Sequence, residues 1–311
     1  MYYELKKIKL ALKQTWKISR NESLFKTNYI LSKNGIASEI APNTRYKETA
    51  ERIEKEFLEL NQKPEILDEQ WCQSFKNAVN NIALKEQGDI FSQLKLANLP
   101  KILTSFSIPI MDEKEVKDYL DLNNQFQIYK LKVCNESALG LLKEVTRHTA
   151  KPIRIDANEG FHSLEEYLHF EEQIKDFNIE FIEQPFSHTM IEEYKKLKPI
   201  SRFEIIADES LINDFNGELF SKMFHGINVK LMKAGGITTA AMLLRKAKQL
   251  GLKTMIGCMI ETSLGISEAY VLASLCDYCD LDGALLIKND PYQNLFTLED
   301  GFLIPTSTNF S

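Results

Sequence analysis

The chain lacks several features that would assign it to a functional class at once. It has only 13 glycines, 9 prolines and 5 cysteines in 311 residues, and no apolar run approaches the roughly 18 residues that span a bilayer. It contains no H-E-x-x-H sequence and no clustered pair of histidines, so a histidine-ligated metal is not expected. No G-x-G-x-x-G follows a predicted strand, which argues against a dinucleotide-binding fold.

An excess of positive charge is also lacking. The net charge is −6, so nothing suggests a nucleic-acid or anionic-membrane partner, for which a basic face would be expected. The first residues, "MYYELKKIKLALK", contain no signal-peptide core, and the odd, scattered cysteines fit a reducing compartment. We therefore expect a cytoplasmic protein without nucleic-acid or membrane partners, and we leave open whether it forms a homo-oligomer.

Two of the cysteines, Cys276 and Cys279, form a C-x-x-C sequence. A redox function would require a thioredoxin-like strand-to-helix context, and a zinc site would require a second pair. The sequence supplies neither. We interpret the pair as buried or incidental thiols.

The order of predicted elements indicates two domains. Residues 1–98 contain a strand, an Asn34-Gly35 hairpin signal and two helical stretches, which together predict a small α+β capping domain. Residues 99–290 alternate short apolar strands with amphipathic helices, and residues 291–311 are expected to pack on the capping domain. The eight strand candidates are "ILTSFSI", "FQIYKLKV", "PIRID", "IEFIEQ", "FEIIAD", "GINVKL", "LKTMIG" and "GALLI". Eight such strands predict an α/β fold, a (β/α)7β TIM-like barrel rather than an open sheet.

Ionisable residues end five consecutive predicted strands. They are, in order, Lys132, Asp156, Glu183, Asp208 and Lys230. The carboxyl ends of barrel strands meet at one rim, where active sites lie. Each acid alone could be a helix cap, but three together form a set of hard oxygen ligands that favours Mg²⁺ over zinc.

Three lysines flank the predicted metal site. Lys130 and Lys132 share one face of the second strand, and Lys230 lies on the sixth, on the other side of the acids. A free lysine titrates near pH 10.4 and is a poor base at neutral pH. A metal ion and a neighbouring ammonium group are expected to lower that pKa. We expect Lys132 and Lys230 to face each other as acid and base, with Lys130 assisting.

These motifs resemble those of the enolase superfamily, in particular the subgroup of muconate-lactonising enzymes and dipeptide epimerases. The resemblance is carried by "KLK" (130–132), "DAN" (156–158), "EQP" (183–185), "ADES" (207–210) and "NVKLMKAGG" (228–236), and it covers nearly the whole chain. It implies one Mg²⁺ per subunit, held by the three acids, and removal of a substrate α-proton by a lysine to give an enediolate.

The resemblance also implies substrate contacts. Asp280 and Asp282 in "CDLDGALLI" resemble the pair with which dipeptide epimerases hold a free α-ammonium group; turn or cap acids are the alternative. Arg20 in "WKISRNE" resembles a capping-loop residue that pairs with an acidic side chain. Glu261 is similar to a family position near the site.

The resemblance therefore predicts a dipeptide epimerase that inverts the α-carbon of the C-terminal residue, with L-Ala-D/L-Glu from cell-wall peptide as the expected substrate. Alternatives within the subgroup are a muconate cycloisomerase, an o-succinylbenzoate synthase or an N-acylamino-acid racemase. An alternative of another class is a catalytically silent barrel that binds a carboxylate. The short chain, the segment "LKLANLPK" (94–101) and Lys47 depart from the family pattern and leave the side-chain specificity open.

Overall fold

The computed structural model of the protein describes residues 2–18, 21–63, 68–133, 139–211 and 215–307. Within these ranges the strands form three sheets, of three, eight and three strands. No helix in the described ranges is both long and apolar enough to cross a membrane.

The N-terminal part is an antiparallel sheet with helices packed on it. Its elements are β1 (Glu4–Ile18), β2 (Asn21–Lys33), β3 (Ile36–Ile40), α1 (Ala50–Gln62), α2 (Gln73–Glu86) and α3 (Ile90–Leu94). Asn34 and Gly35, with φ angles of 54° and 82°, join β2 to β3 in the left-handed conformations of a two-residue hairpin turn. Tyr29 of β2 and Phe75 of α2 belong to a core that the sheet and the helices share. The expected hairpin is present.

The second part is a parallel barrel, which a short strand, β4 (Ile102–Leu103), precedes. The barrel strands are β5 (Phe106–Ile108), β6 (Tyr129–Lys132), β7 (Ile153–Asp156), β8 (Ile179–Glu183), β9 (Glu204–Ala207), β10 (Gly226–Lys230), β11 (Lys253–Gly257) and β12 (Tyr278–Asp280). They lie side by side in chain order. The helices between them are α4 (Val116–Leu122), α5 (Leu139–His148), α6 (Leu164–Ile174), α7 (Ile191–Leu197), α8 (Gly217–Met223), α9 (Leu231–Ala234), α10 (Ile237–Gln249) and α11 (Ser263–Tyr270). The predicted (β/α)7β barrel with an N-terminal α+β unit is confirmed.

Polar side chains bring the two edges of the eight-stranded sheet together. The backbone N–H of Ser105 donates to the carbonyl of Cys279 at 3.3 Å, and Arg154 Nη1 donates to the same carbonyl at 2.6 Å. Arg154 also donates to Ser105 Oγ at 3.2 Å. One buried guanidinium on β7 thus links the segment before β5 to β12 and nearly closes the barrel.

The first and eighth strands differ from their predicted positions. "ILTSFSI" is two strands, because β4 pairs antiparallel with a C-terminal strand whereas β5 enters the barrel. "GALLI" is not the eighth strand: Gly283–Leu286 forms a 3₁₀ turn, and the barrel strand is the preceding Tyr278–Asp280. A short apolar run does not by itself distinguish a strand from a turn.

The described part of the C-terminal tail adds a hairpin to β4, and its packing on the capping domain stays a prediction. Strands β13 (Phe296–Glu299) and β14 (Phe302–Pro305) form a hairpin, and β14 pairs with β4 rather than with the N-terminal sheet. Leu303 packs in the barrel core, and Gly301 lies against the backbone of residues 125–127, just before β6. The segment just before the tail does meet β1, since Lys288 N–H donates to the Ala11 carbonyl at 2.8 Å. The division of the chain near residue 98 stays a prediction.

One polar face of α2 docks the capping domain on the barrel. Lys85 forms a buried ion pair with Glu268 of α11 at 2.8 Å, and Asn81 donates to the same carboxylate at 2.9 Å. Asn80 Nδ2 donates to the Gly235 carbonyl at 2.7 Å. Hydrogen bonds of this kind satisfy groups that would otherwise be buried without partners.

We expect the hairpin turn to depend on the residue at position 35. A Cβ at Gly35 would meet nothing within 4 Å, so Gly35→Ala should cause no steric clash. It should lower the free energy of unfolding by about 1 kcal/mol, because alanine is strained in the left-handed conformation. Gly35→Asn should cost less, because asparagine tolerates positive φ. Urea unfolding of both variants measures the difference, and equal losses would contradict this account of the turn.

Candidate active site

The strand ends of the barrel carry the predicted site residues on one rim. Asp156 ends β7 and Glu183 ends β8, and the two are directly paired across the strands. Asp208 follows β9, and Lys132 and Lys230 end β6 and β10. The structure therefore brings these five side chains together as parallel strands require.

Lys130 lies at the centre of the buried carboxylates. Its Nζ is 2.7 Å from Glu183 Oε2, 2.8 Å from Asp280 Oδ2 and 3.3 Å from Asp156 Oδ2. Burial would lower the pKa of Lys130, but the three carboxylates outweigh it and raise that pKa well above its usual value. Lys130 therefore stays positively charged and compensates part of the negative charge of these three carboxylates.

Asp208 is held by two lysines. Lys230 Nζ donates to Asp208 Oδ2 at 2.8 Å, and Lys233 Nζ donates to Asp208 Oδ1 and to its carbonyl oxygen. Burial would lower the pKa of Lys230, but Asp208 and Glu183 raise it well above its usual value. The contact with Asp208 favours the charged form of the ammonium group. The lowering expected from a bound metal ion stays a prediction.

Lys132 has a different environment from Lys230. Its Nζ donates to Asn158 Oδ1 at 2.9 Å and is 3.5 Å from Asp156 Oδ2. Asn158 Nδ2 in turn donates to Glu209 Oε1 at 3.3 Å. The closer of these two partners of Lys132 is therefore a neutral amide, with the Asp156 carboxylate farther away, whereas a carboxylate accepts a hydrogen bond from Lys230.

The donor chemistry of the rim suits a hard divalent cation. Asp156, Glu183 and Asp208 are 2%, 0% and 3% exposed, and they offer only oxygen ligands, which Mg²⁺ prefers. Glu183 Oε2 and Asp156 Oδ2 both lie within 3.3 Å of Lys130 Nζ, so the two carboxylates are near neighbours. In the described residues no three acidic, histidine or cysteine side chains stand close enough together to form a complete set of metal ligands.

Asp280 and Asp282 have different hydrogen-bond partners. Asp280 accepts from Lys130 and, at 2.5 Å, from Ser105 Oγ. Asp282 accepts from the backbone N–H of Ser107 at 2.7 Å. Burial, reinforced by the charge of Asp280, raises the pKa of Asp282 to about 6. Asp282 is therefore the member of the pair that would gain most from an incoming cation.

Glu261 follows β11 beside a carboxylate of the capping domain. Its Oε1 accepts from Met259 N–H at 2.7 Å, and its Oε2 has no hydrogen-bond partner in the described part of the chain. Glu39 of β3 accepts from Thr262 and Gly265 at the start of α11. A Cβ at Gly265 would collide with Glu261 Oε2 and lie 3.0 Å from Glu39 Oε2. The glycine thus lets two acids from different domains approach the same point.

Two further sequence features bear on the site. Arg20 lies outside the described residues, so its substrate role stays a prediction. Cys276 and Cys279 are free thiols, and burial raises the pKa of both, which makes them poor nucleophiles.

The sequence interpretation missed three charged residues of the site. Lys233 contacts Asp208 from the first turn after β10, and its three-residue spacing from Lys230 was the available signal. Glu209 follows Asp208 directly in "ADES", and its place in the site was not predicted. Arg45 of the capping domain ion-pairs with Glu159. It lies in "SEIAPNTRYKET" (38–49), which resembles a segment beside the capping loop of related epimerases, but no local pattern indicates the contact with Glu159.

We expect Glu261 to make stability depend on pH. Burial and the neighbouring Glu39 raise the pKa of Glu261 from 4.5 to about 8, so the folded state binds a proton that the unfolded chain releases, and stability should fall as pH rises between about 5 and 8. Glu261→Gln removes this ionisation and should reduce the dependence of Tm on pH. Thermal unfolding across this range tests it, with the exposed Glu165→Gln as control; an unchanged slope in Glu261→Gln would refute the assignment.

Comparisons with known proteins agree with this architecture. The sequence model of the enolase C-terminal domain-like family matches residues 113–308. An L-Ala-D/L-amino acid epimerase of Maribacter sp. is 32% identical over 98% of this chain and 96% of its own length.

Two solved structures share the fold. One is an enolase family member of Agrobacterium tumefaciens with homology to dipeptide epimerases, containing sodium and L-Ala-L-Glu; its TM-score is 0.89 at 22% identity, covering 99% of this chain and 98% of the other. The second is a dipeptide epimerase of Methylococcus capsulatus with Mg and L-Arg-D-Lys; its TM-score is 0.86 at 23% identity, covering 98% and 96%. The chain therefore belongs to the enolase C-terminal domain-like family, and it is an isomerase whose relatives are epimerases and racemases.

Proposed function

We propose that this protein is a Mg²⁺-dependent dipeptide epimerase that moves a proton on and off the α-carbon of the C-terminal residue. The observation that carries the proposal is the placement of Lys132 and Lys230 on β6 and β10, with the three acid-bearing strand ends between them. Inversion at carbon requires a proton acceptor on one face and a proton donor on the other. Two lysines on opposite sides of the rim meet that requirement.

Asp156, Glu183 and Asp208 would hold one Mg²⁺ per subunit. Bound Mg²⁺ would neutralise negative charge that develops on the substrate carboxylate and offset the carboxylate charge that raises the pKa of Lys230. The dipeptide epimerase of Methylococcus capsulatus was crystallised with Mg, which supports this choice of ion.

The lysines exchange a proton with the α-carbon in two steps. One Nζ removes the α-proton, and the electron pair of the C–H bond moves into the carboxylate to give an enediolate. The other lysine then donates a proton to the opposite face, and the α-carbon is inverted. Lys130, a permanent cation among carboxylates, would stabilise charge without carrying the proton.

The free amine of the dipeptide would bind at Asp282. This carboxylate is 4% exposed. The positive charge of a substrate ammonium group would offset the effect of burial, which raises the pKa of Asp282. Asp280 would support Asp282 while remaining paired with Lys130. The Maribacter relative is named for L-Ala dipeptides, and this supports L-Ala at the N-terminal position. Glutamate at the C-terminal position is proposed from Arg20, which the resemblance pairs with an acidic substrate side chain.

The first test is α-proton exchange in D₂O. The protein with Mg²⁺ and a panel of L-Ala dipeptides should incorporate deuterium at the C-terminal α-carbon while the epimer appears, as followed by NMR. EDTA should stop both processes. If free dipeptides do not exchange but an N-acyl amino acid does, the racemase or another amine-independent reaction of the subgroup replaces the proposal.

The same assay assigns a face to each lysine. Lys132→Ala and Lys230→Ala should each abolish inversion, but each should retain α-proton exchange with the one epimer whose proton faces the remaining lysine. Mg²⁺ binding measured by calorimetry should persist in both variants. Wild-type inversion in either variant would show that the protein does not use two bases.

Asp282 separates dipeptides from substrates without an amine. Asp282→Asn removes the negative partner of the ammonium group, so kcat/KM for dipeptides should fall about 100-fold. Exchange into an N-acyl amino acid, if measurable, should change much less. Equal losses for the two substrate classes would mean that Asp282 supports the site in general and does not recognise the amine.

A further inference from the structure

Arg45 reaches from the capping domain into the barrel mouth. It lies in the 3₁₀ turn Thr44–Tyr46, which follows β3. Its Nη2 donates to Glu159 Oε2, and its Nη1 lies 3.9 Å from Glu209 Oε1. The side chains of Glu159 and Glu209 are 3% and 7% exposed, against 26% for Arg45. One cation of the capping domain therefore bridges the loops that follow β7 and β9.

The loop after β7 has an unusual backbone. Asn158 and Glu159 have φ angles of 45° and 62°, and two consecutive residues other than glycine rarely adopt such left-handed backbone conformations. A loop of this kind persists only where its surroundings hold it. Glu159 Oε1 accepts from His188 N–H and bonds to His188 Nδ1, both at 2.8 Å, while Oε2 accepts from Arg45. The carboxylate is thus fixed from both sides.

The same loop orients Lys132. Asn158 Oδ1 accepts from Lys132 Nζ at 2.9 Å, and Asn158 Nδ2 donates to Glu209 Oε1 at 3.3 Å. Arg45 therefore bridges two carboxylates that are both linked to Asn158. Glu159 is its neighbour in the chain, and Glu209 accepts its hydrogen bond. A shift of Arg45 would move the amide that directs Lys132.

We propose that Arg45 is a positioning residue for Lys132, acting through Glu159, Glu209 and Asn158 across the domain interface. The inference rests on the proposed function, in which Lys132 transfers a proton at one face of the α-carbon. Arg45 itself touches no reacting atom. Through it, the seating of the capping domain sets the orientation of one of the two lysines.

The effect of Arg45 should be one-sided. Lys230 is held by Asp208, which Lys233 and the side chain of Gln184 hold in turn. None of these hydrogen bonds involves Glu159, Asn158 or the side chain of Glu209. Arg45 approaches the loop after β9 at the Glu209 side chain, which does not hold Asp208. Loss of Arg45 should therefore disturb Lys132 much more than Lys230.

The test compares Arg45→Gln with Lys47→Gln, which removes the same charge from an exposed residue of the same segment. α-Proton exchange and inversion are measured in D₂O from each epimer separately. In Arg45→Gln, the epimer whose α-proton faces Lys230 should keep its exchange rate while its inversion falls at least about tenfold. The other epimer should lose exchange and inversion together, and Lys47→Gln should behave as wild type.

Two further variants refine the test. Glu159→Gln should reproduce the one-sided pattern, and the double variant Arg45→Gln/Glu159→Gln should be no worse than the more affected single variant, because both changes break one ion pair. Equal losses of exchange from both epimers would overturn the inference and make Arg45 a general stabiliser of the interface. Unchanged kinetics in Arg45→Gln would overturn it as well.

A measurement without substrate keeps the two proposals separate. The ¹⁵Nζ NMR signal of Lys132 should shift in Arg45→Gln, whereas that of Lys230 should not. If the wild-type protein exchanges no dipeptide, the proposed function fails while this comparison still tests the positioning. An unshifted Lys132 signal would overturn the inference whatever the substrate is.

Discussion

The ion pairs around Lys130 are the interaction on which fold and site both depend. Four barrel strands, β6, β7, β8 and β12, each bring one member of this cluster into a nearly dry interior. An unmatched charge in such surroundings is strongly destabilising. Loss of Lys130 would therefore leave the buried Glu183 and Asp280 without this ion pair at this end of the barrel. Asp280 also accepts a hydrogen bond from Ser105 Oγ, so the cluster extends to the point where the two edges of the barrel sheet meet.

The two lysines proposed as acid and base are held by different kinds of partner. Lys230 contacts a buried carboxylate that a second lysine also holds, so its position is set by strong charge–charge attraction. Lys132 lies near the Asp156 carboxylate and donates to an amide in a loop of unfavourable backbone conformation, so its position also depends on what holds that loop. A barrel can thus contain two groups of the same chemical type whose surroundings make them respond differently to distant changes.

The strand-end residues were predictable because a parallel barrel converts regular spacing along the chain into proximity in space. Asp156, Glu183 and Lys230 needed nothing else to be placed together. The eighth strand was not predictable, since "GALLI" is more apolar than Tyr278–Asp280, and apolarity was the signal used. Arg45 could not be found either: its contact with Glu159 depends on how the capping domain docks, which no local pattern encodes. The raised pKa of Lys230 likewise follows from a contact distance that spacing does not give.

The turn that follows Lys230 belongs to both domains. Met232 Sδ accepts from the Ala41 N–H at 3.4 Å, and Asn80 and Asn81 of α2 bind the Gly235 carbonyl and the Ile237 N–H. The backbone beside a proposed proton carrier is therefore completed by side chains from the N-terminal part of the chain. Such an arrangement ties the two parts into one cooperative folding unit. It also restricts evolution by recombination, because a capping domain borrowed from a relative would have to carry matching asparagines to leave the barrel lysine undisturbed.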